Sequence, residues 1–181
     1  MLGLASDPAD VAGFGPVDPA LARQLGSRAA PHPATRWCLT VSDDRGQPIG
    51  HGCLPGQPVS RLFAPKPLTV TITPLASDTD QHQNSEPGYH PSRRLQHLVQ
   101  TRSAACSAPG CRWPAARSDL DHTVPYDEGG RTCECNLAPL CRHHHRCKHS
   151  EGWQLDQPSP GVMTWTTPAG RRYLTTPSAY P

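Results

Sequence analysis

The sequence predicts an α+β protein: a small domain stabilised by metal in residues 89–181, preceded by a poorly packed, mainly β and loop segment in residues 1–88. Three observations support this prediction. Hydrophobic residues make up only 35% of the 181 residues, and 22 prolines interrupt regular structure. Segments with helical or strand periodicity are short. Six of the ten histidines lie in the second half, where a bound metal can supply stability that a small apolar core does not.

The charge is unevenly distributed along the chain. Residues 1–90 carry 6 Lys and Arg against 8 Asp and Glu, whereas residues 91–181 carry 11 against 7. A basic second half permits a polyanionic partner such as nucleic acid, and a solvated surface explains it about as well. The sequence gives no indication of oligomeric state.

The N-terminus and the cysteines bear on the compartment. The start MLGLASDPAD lacks the basic region and apolar run of a signal peptide, and no segment is apolar enough to cross a membrane. This predicts a cytoplasmic protein with no membrane partner. In a reducing compartment, the eight cysteines are better explained as metal ligands or free thiols than as disulfides.

A short helix and a hairpin are predicted in the first half. Asp18 can cap the helix, Pro19 suits its first turn, and Gly26 would follow its end. A hairpin follows, because residues 37–41 and the stretch from Ile49 flank a turn-rich segment.

The rest of the first half carries weaker signals. Residues 68–73 alternate like a strand, and the prolines on both sides suggest a sheet edge. Residues 75–90 are polar and non-periodic, which favours a linker or loop. Cys38 and Cys53 are interpreted as small packing residues of the hairpin, and His51 has no visible partner.

A helix and a second hairpin are predicted in the second half. The helix would start after Ser92 and bury one apolar stripe against the domain. The stripe consists of Leu95, Leu98 and Val99. Two alternating stretches that begin at Gly152 and Val162 predict the hairpin, and Trp153 and Trp165 are interpreted as its core rather than as platforms for stacking bases.

Two pairs of metal-ligand residues predict a structural zinc site. Cys106 and Cys111 flank a Pro-Gly turn that can bring their sulfurs together. About thirty residues later, Cys141 and His144 supply a second pair, which completes a tetrahedral set of three cysteines and one histidine. The alternative is four unconnected side chains.

Three further cysteines are surplus to a four-ligand zinc site. Cys133 and Cys135 are interpreted as loop thiols, although either could replace one of the chosen ligands. Cys147 lies off the side that carries the predicted ligands.

The segment LAPLCRHHHRCKH, residues 137–149, is interpreted as a helix with Pro139 in its first turn and Gly152 after its end. One side of it would carry Cys141, His144, His145 and Lys148. Because neighbouring residues project about 100° apart on a helix, His144 and His145 can serve two different sites.

Upstream of this helix, a short strand over residues 119–123 ends at Asp121 and His122. Neighbours on a strand point to opposite faces, unless a bulge or a bend brings them to one site. A loop rich in Pro and Gly follows and leads to Asn136.

The order of these pieces resembles a known family. From Tyr89 to about Tyr180 the chain resembles HNH endonucleases of the ββα-metal type, in their zinc-stabilised subgroup. The matching pieces are Cys106 with Cys111, LDHTVPYDEGG, Asn136 with Leu137, LCRHHH and Lys148. The residues that match the name of the motif are His122, Asn136 and His145. The first half is also similar to the segment that precedes this domain in longer bacterial proteins.

The resemblance implies a DNA endonuclease in which His122 is the general base. Asp121 and His145 would hold one divalent ion, Mg²⁺ or Mn²⁺, and Asn136 would fix the loop and orient His122. The zinc would be structural, bound by the Cys106 set.

Basic residues on the last helix complete the expectation. Arg142, Arg146 and Lys148 are candidate phosphate contacts, with a solvated basic face as the alternative. His149 is either a further metal ligand or phosphate contact, or a solvated histidine at a helix end. Two other functions stay open: a non-catalytic, zinc-stabilised module or remnant that binds nucleic acid, and a protein-interaction domain.

Overall fold

The computed structural model describes residues 8–11, 14–54, 69–75, 82 and 84–177. The chain divides into two compact units: Met1–Val41 with Gly50–Thr73, and Ser42–Ile49 with Pro74–Pro181. Helices and several small sheets confirm the predicted α+β class. The predicted domain boundary after residue 88 stays a prediction. In the described ranges, none of the helices combines the length and apolar character needed to span a membrane.

In the first unit, β1 (Ala9–Val11) and β2 (Gly15–Val17) pair as an antiparallel hairpin. The sequence did not predict this hairpin, because strands of three residues are too short to show a recognisable alternation. Helix α1 (Pro19–Ala29) follows, and the Asp18 side chain accepts from the backbone N of Ala20 at 2.8 Å, as its predicted capping role requires. The predicted end at Gly26 is wrong, because the helix continues for one more turn.

The hairpin predicted from residues 37–41 and the stretch from Ile49 is confirmed as β3 (Cys38–Ser42) and β4 (Pro48–Cys53). Asp43 N donates to Gln47 O at 2.9 Å in the turn between them. The edge strand β5 is only Thr73–Pro74. The strand predicted over residues 68–73 is therefore wrong for residues 69–72, and residue 68 lies outside the described part. Residues 69–72 alternate in polarity, but all four are exposed or partly exposed and are not hydrogen-bonded as a strand of a sheet.

Helix α2 (Arg93–Arg102) opens the part of the second unit that holds the predicted site. Ser92 Oγ accepts from Leu95 N at 3.2 Å, which confirms the predicted cap. Leu95 and Val99 pack with Leu137 in a small core, so the predicted apolar stripe is confirmed as buried.

The predicted second hairpin is confirmed as β8 (Gln154–Ser159) and β9 (Val162–Thr166). A third strand, β10 (Arg172–Thr175), pairs with β9 and was not predicted, because its mostly exposed residues show no apolar alternation. Trp165 is 1% exposed and contacts Trp153 edge to face at 6.1 Å, so both tryptophans serve the core.

Strands β6 (Asp119–His122) and β7 (Leu137–Leu140) pair antiparallel, and α3 (Arg142–Lys148) follows directly. The single helix predicted over residues 137–149 is therefore wrong at its start. Pro139 lies in β7 opposite Leu120, in a two-stranded sheet where both strands are edges that tolerate proline. All four residues of β7 are buried. A short, continuous apolar run of this kind is consistent with a buried strand.

Candidate active site and metal centres

The four residues predicted to bind zinc lie together. The donor atoms of Cys106, Cys111, Cys141 and His144 are all within 4.8 Å of one another. His144 Nδ1 lies 3.5 Å from Cys106 Sγ and 3.2 Å from Cys141 Sγ. Ligand atoms at about 2.0–2.3 Å from one tetrahedral zinc have separations close to these.

Local structure brings the two pairs together. Gly110 adopts φ +68° in the turn that Cys111 N closes on Ala108 O at 3.1 Å. Cys141 is the N-cap residue of α3, one turn before His144.

The chemistry of this donor set fits zinc. Burial raises the pKa of Cys106 to about 12, and a bound cation would favour its thiolate. Burial, with a smaller contribution from His143, lowers the pKa of His144 and favours the neutral ring that binds metal.

His145 lies between two carboxylates. Its Nδ1 is 2.8 Å from Asp119 Oδ2, and its Nε2 is 3.4 Å from Asp121 Oδ1. His149 joins them, since the donor atoms of Asp121, His145 and His149 lie within 4.8 Å of one another. One carboxylate and two imidazoles suit a divalent ion such as Mn²⁺ or a transition metal better than Mg²⁺, which prefers oxygen ligands.

Asp119 was missed by the sequence reasoning, although a signal was present. Asp119 and Asp121 are two apart on β6 and therefore share a face. The hydrogen bond from His145 is the main cause that lowers the pKa of Asp119, so this carboxylate is ionised and accepts the Nδ1 proton. The other ring nitrogen, Nε2, points to Asp121, and a contact between the second nitrogen and a carboxylate is the arrangement that metal-binding histidines use.

The three basic residues expected to contact phosphate lie in different environments. The Lys148 side chain is 7% exposed, and its Nζ donates to Asp121 Oδ2 at 2.6 Å and to the carbonyl O of His122. Arg142 is 74% exposed and pairs with Asp119 at 3.3 Å. Arg146 is exposed. Lys148 therefore lies inside the site, and the two arginines lie at its surface.

His122 is the last residue of β6. The β6–β7 register runs without a shift from Asp119 to His122, so no bulge lies within the strand. His122 Nε2 is 2.9 Å from Thr132 Oγ1, and Thr132 Oγ1 donates its proton to Gly88 O at 2.6 Å. Because that proton is used, Nε2 of His122 is the donor and Nδ1 carries the lone pair.

The surroundings of His122 keep it neutral. Burial lowers its pKa, the Asp121 charge opposes this, and the Lys148 charge adds to it. Tyr89 stacks on the imidazole at 5.3 Å, and Tyr126 lies 5.7 Å away. Both tyrosines were missed, because an isolated tyrosine in a loop carries no pattern.

The Asn136 side chain joins the two ends of the loop after β6. Its Oδ1 accepts from Val124 N at 2.8 Å and from Thr123 Oγ1 at 2.7 Å, and its Nδ2 donates to Val124 O and Arg131 O at 3.1 and 2.9 Å. Gly130 closes the same loop, where a Cβ would overlap the Val124 carbonyl. Asn136 thus joins residues 123–124 to residue 131, and its expected role in orienting His122 stays a prediction.

The surplus cysteines lie apart from the Cys106 set. His82 Nδ1 is 3.2 Å from Cys133 Sγ and 3.1 Å from Cys135 Sγ, and these three donors could also hold a metal ion. The hydrogen bond with Cys135, then that with His82, lowers the pKa of Cys133 to about 6. Cys147 Sγ lies 3.6 Å from His143 Nε2.

One comparison with known proteins bears on this arrangement. The HNH endonuclease family model matches residues 106–151. The match confirms the resemblance, and it spans the zinc-type ligands, β6, the Asn136 loop, β7 and α3. The part of the second unit that carries these residues is therefore an HNH domain.

The chain is also similar to proteins of Mycobacterium tuberculosis. Uncharacterized protein Rv3776 of Mycobacterium tuberculosis is 43% identical over 96 residues, 52% of this chain and 18% of its own length. Uncharacterized protein Rv2100 of the same species is 40% identical over 96 residues, 52% of this chain and 17% of its own length. The chain thus spans less than a fifth of these relatives. No solved structure matches the chain.

Proposed function

We propose that this protein is a metal-dependent HNH endonuclease that hydrolyses phosphodiester bonds of DNA. The observation that carries the proposal is the hydrogen-bond chain from His122 Nε2 to Thr132 Oγ1 and from that hydroxyl to Gly88 O. With the Thr132 proton donated to Gly88, the neutral ring would donate from Nε2 and present Nδ1 as a base beside the strand residue Asp121.

His122 would remove the proton from the attacking water. A neutral imidazole can accept a proton near neutral pH, and burial keeps the pKa of this ring below its ordinary value. Stacking on Tyr89 and the hydrogen bond to Thr132 hold the ring in one orientation. Asn136 keeps the adjacent backbone in place.

Asp121 Oδ1 and His145 Nε2 would hold the divalent ion, with His149 as a third ligand. A divalent ion such as Mn²⁺ bound there would polarise the scissile phosphate and stabilise the leaving 3′ oxygen. Asp119 orients His145 through Nδ1, and Lys148 holds the other oxygen of Asp121.

The remaining predicted residues would contact DNA or bind the structural zinc. Arg142 and Arg146 are exposed on α3, where they can neutralise DNA phosphates. The Cys106, Cys111, Cys141 and His144 set would hold structural zinc and fix the start of α3 against the turn at residues 106–111.

Nicking of supercoiled plasmid tests the proposal. The purified protein is assayed with Mg²⁺, Mn²⁺ or EDTA, beside His122→Ala and the control His32→Ala, an exposed histidine of the first unit. We expect nicking that depends on the metal, is lost in His122→Ala and survives in the control. Nicking that persists in His122→Ala would show that His122 is not the base.

One observation favours a second function, a non-catalytic module that binds nucleic acid. Lys148 neutralises Asp121, the carboxylate that would bind the divalent ion. In that case the protein binds DNA with a steep dependence on salt and cleaves nothing at any metal concentration.

A further inference from the structure

We propose a second metal centre in the first unit, where Cys38, His51 and Cys53 bind a zinc-type ion. The donor atoms of these three residues lie within 4.8 Å of one another, and Cys53 Sγ is 3.5 Å from His51 Nε2. We call this set the hairpin centre. It does not depend on the proposed nuclease function.

The hairpin itself brings the ligands together. Cys38 begins β3, and Leu54 N donates to Trp37 O at 2.8 Å, which places the ends of the two strands side by side. His51 and Cys53 are two apart on β4 and therefore face the same side of the strand. Three soft or borderline ligands thus converge at the open end of one hairpin.

His51 has the environment of a metal ligand. It is 5% exposed, and its Nδ1 lies 3.1 Å from Thr40 Oγ1. A hydrogen bond at Nδ1 fixes the ring and leaves Nε2, the nitrogen next to Cys53 Sγ, to bind the ion. Histidines that bind metals are typically oriented by such a second hydrogen bond.

The first unit also needs a source of stability other than apolar burial. Ala30 is the single buried apolar side chain among the described residues of this unit, and α1 buries none of its residues. Leu21, Leu25 and Leu39 are 44%, 45% and 51% exposed. Small units with so little core are commonly held by a metal or by disulfides.

The donors select the class of ion. Two thiolates and one imidazole suit zinc or another soft or borderline transition metal, and they do not suit Mg²⁺ or Ca²⁺. The interpretation of Cys53 as a packing residue is wrong, because Cys53 is exposed, whereas Cys38 is partly buried. His51 has partners in Thr40 and Cys53 that its sequence context did not reveal.

Zinc content tests the hairpin centre. Full-length wild type, Cys38→Ser/Cys53→Ser and the control Cys147→Ser are purified under reducing conditions, and zinc per chain is measured by mass spectrometry. Cys147 belongs to none of the candidate metal-binding groups found in the described ranges, so its replacement controls for the loss of a thiol. We expect the double variant to hold one zinc fewer than wild type and the control to hold the same amount. Equal zinc in all three proteins, or a Cys38–Cys53 disulfide in the reduced preparation, overturns the proposal.

A second variant keeps the test decisive if the double variant does not fold. Thr40→Val retains all three ligands and removes the hydrogen bond to His51. The probe is Co²⁺ added to the metal-free protein, followed by thiolate-to-cobalt absorption. We expect one binding phase to weaken about 10- to 100-fold, as loss of such a partner typically does. Titrations of Thr40→Val and wild type that superimpose overturn the proposal.

Discussion

Asp119 Oδ2 lies 2.8 Å from His145 Nδ1, on the side of the ring opposite Asp121. This contact holds the ring of His145 in one orientation. Asp119 is not one of the three residues that give the HNH motif its name. The contact suggests that it acts as a positioning residue for His145.

Asp119→Ala is expected to weaken divalent-ion binding about 10- to 100-fold, because His145 loses the partner that orients it. The measurement is the Mn²⁺ concentration that gives half-maximal nicking of plasmid. Asp156→Ala, a change of an exposed aspartate on β8, is the matched control and should behave as wild type. An unchanged Mn²⁺ requirement in Asp119→Ala would contradict the assigned role.

Thr132→Val is expected to lower kcat about tenfold or more, with little change in KM. Valine keeps the shape and removes the acceptor of the His122 Nε2 proton, so the ring loses its orientation and the base its tautomer. Thr132→Ser retains the hydroxyl and should restore most of the activity. Equal activity in the valine and serine variants would show that the hydroxyl does not position His122.

The pH dependence follows from the lowered pKa of His122. Burial favours the neutral ring, so the general base is available at pH values below the ordinary histidine pKa of 6.5. The acid limb of the rate profile should therefore lie below pH 6.5. A limb centred above pH 7 would contradict this environment.

The same shift links His122 to stability. Because its folded pKa is below its unfolded pKa, the unfolded chain binds more protons between the two values. The stability that the folded protein gains from this shift is present above pH 6.5 and is lost as the pH falls toward the folded pKa of His122. Urea unfolding at several pH values should show a smaller loss of stability in acid for His122→Gln than for wild type.

Sequence reasoning succeeded where spacing alone fixes the geometry. The Cys106 and Cys141 pairs, the Ser92 cap and the HNH resemblance all rest on spacing or on local chemistry. It failed where tertiary contacts decide. Pro139 lies in a strand because β6 offers β7 a partner, and Lys148 is buried because two acceptors surround its ammonium group. Thr40 and Cys53 contact His51 only after a hairpin has formed, and no local pattern predicts that.

Asn136→Ala is expected to destabilise the second unit by about 3 kcal/mol. The change removes four hydrogen bonds and leaves the buried hydroxyl of Thr123 and the backbone groups of Val124 and Arg131 without this partner. Gln154→Ala, on the exposed side of β8, serves as the control for urea unfolding. A loss below about 0.5 kcal/mol would show that water replaces the amide and that the loop does not need it.

Removal of zinc from the Cys106 set should unfold the tryptophan core. His144 contacts Trp165 edge to face at 6.3 Å, and Cys106 and Cys141 are members of the same apolar cluster as Trp165. Without the ion, four polar ligand atoms remain at the edge of that core. A chelator, or the change Cys141→Ser, is therefore expected to shift tryptophan fluorescence to longer wavelength and to abolish cooperative unfolding. Cys147→Ser, on the same helix, should change neither property. Fluorescence that is unaffected while atomic absorption shows the zinc to be gone would mean that β8, β9 and β10 hold Trp165 without help from the metal.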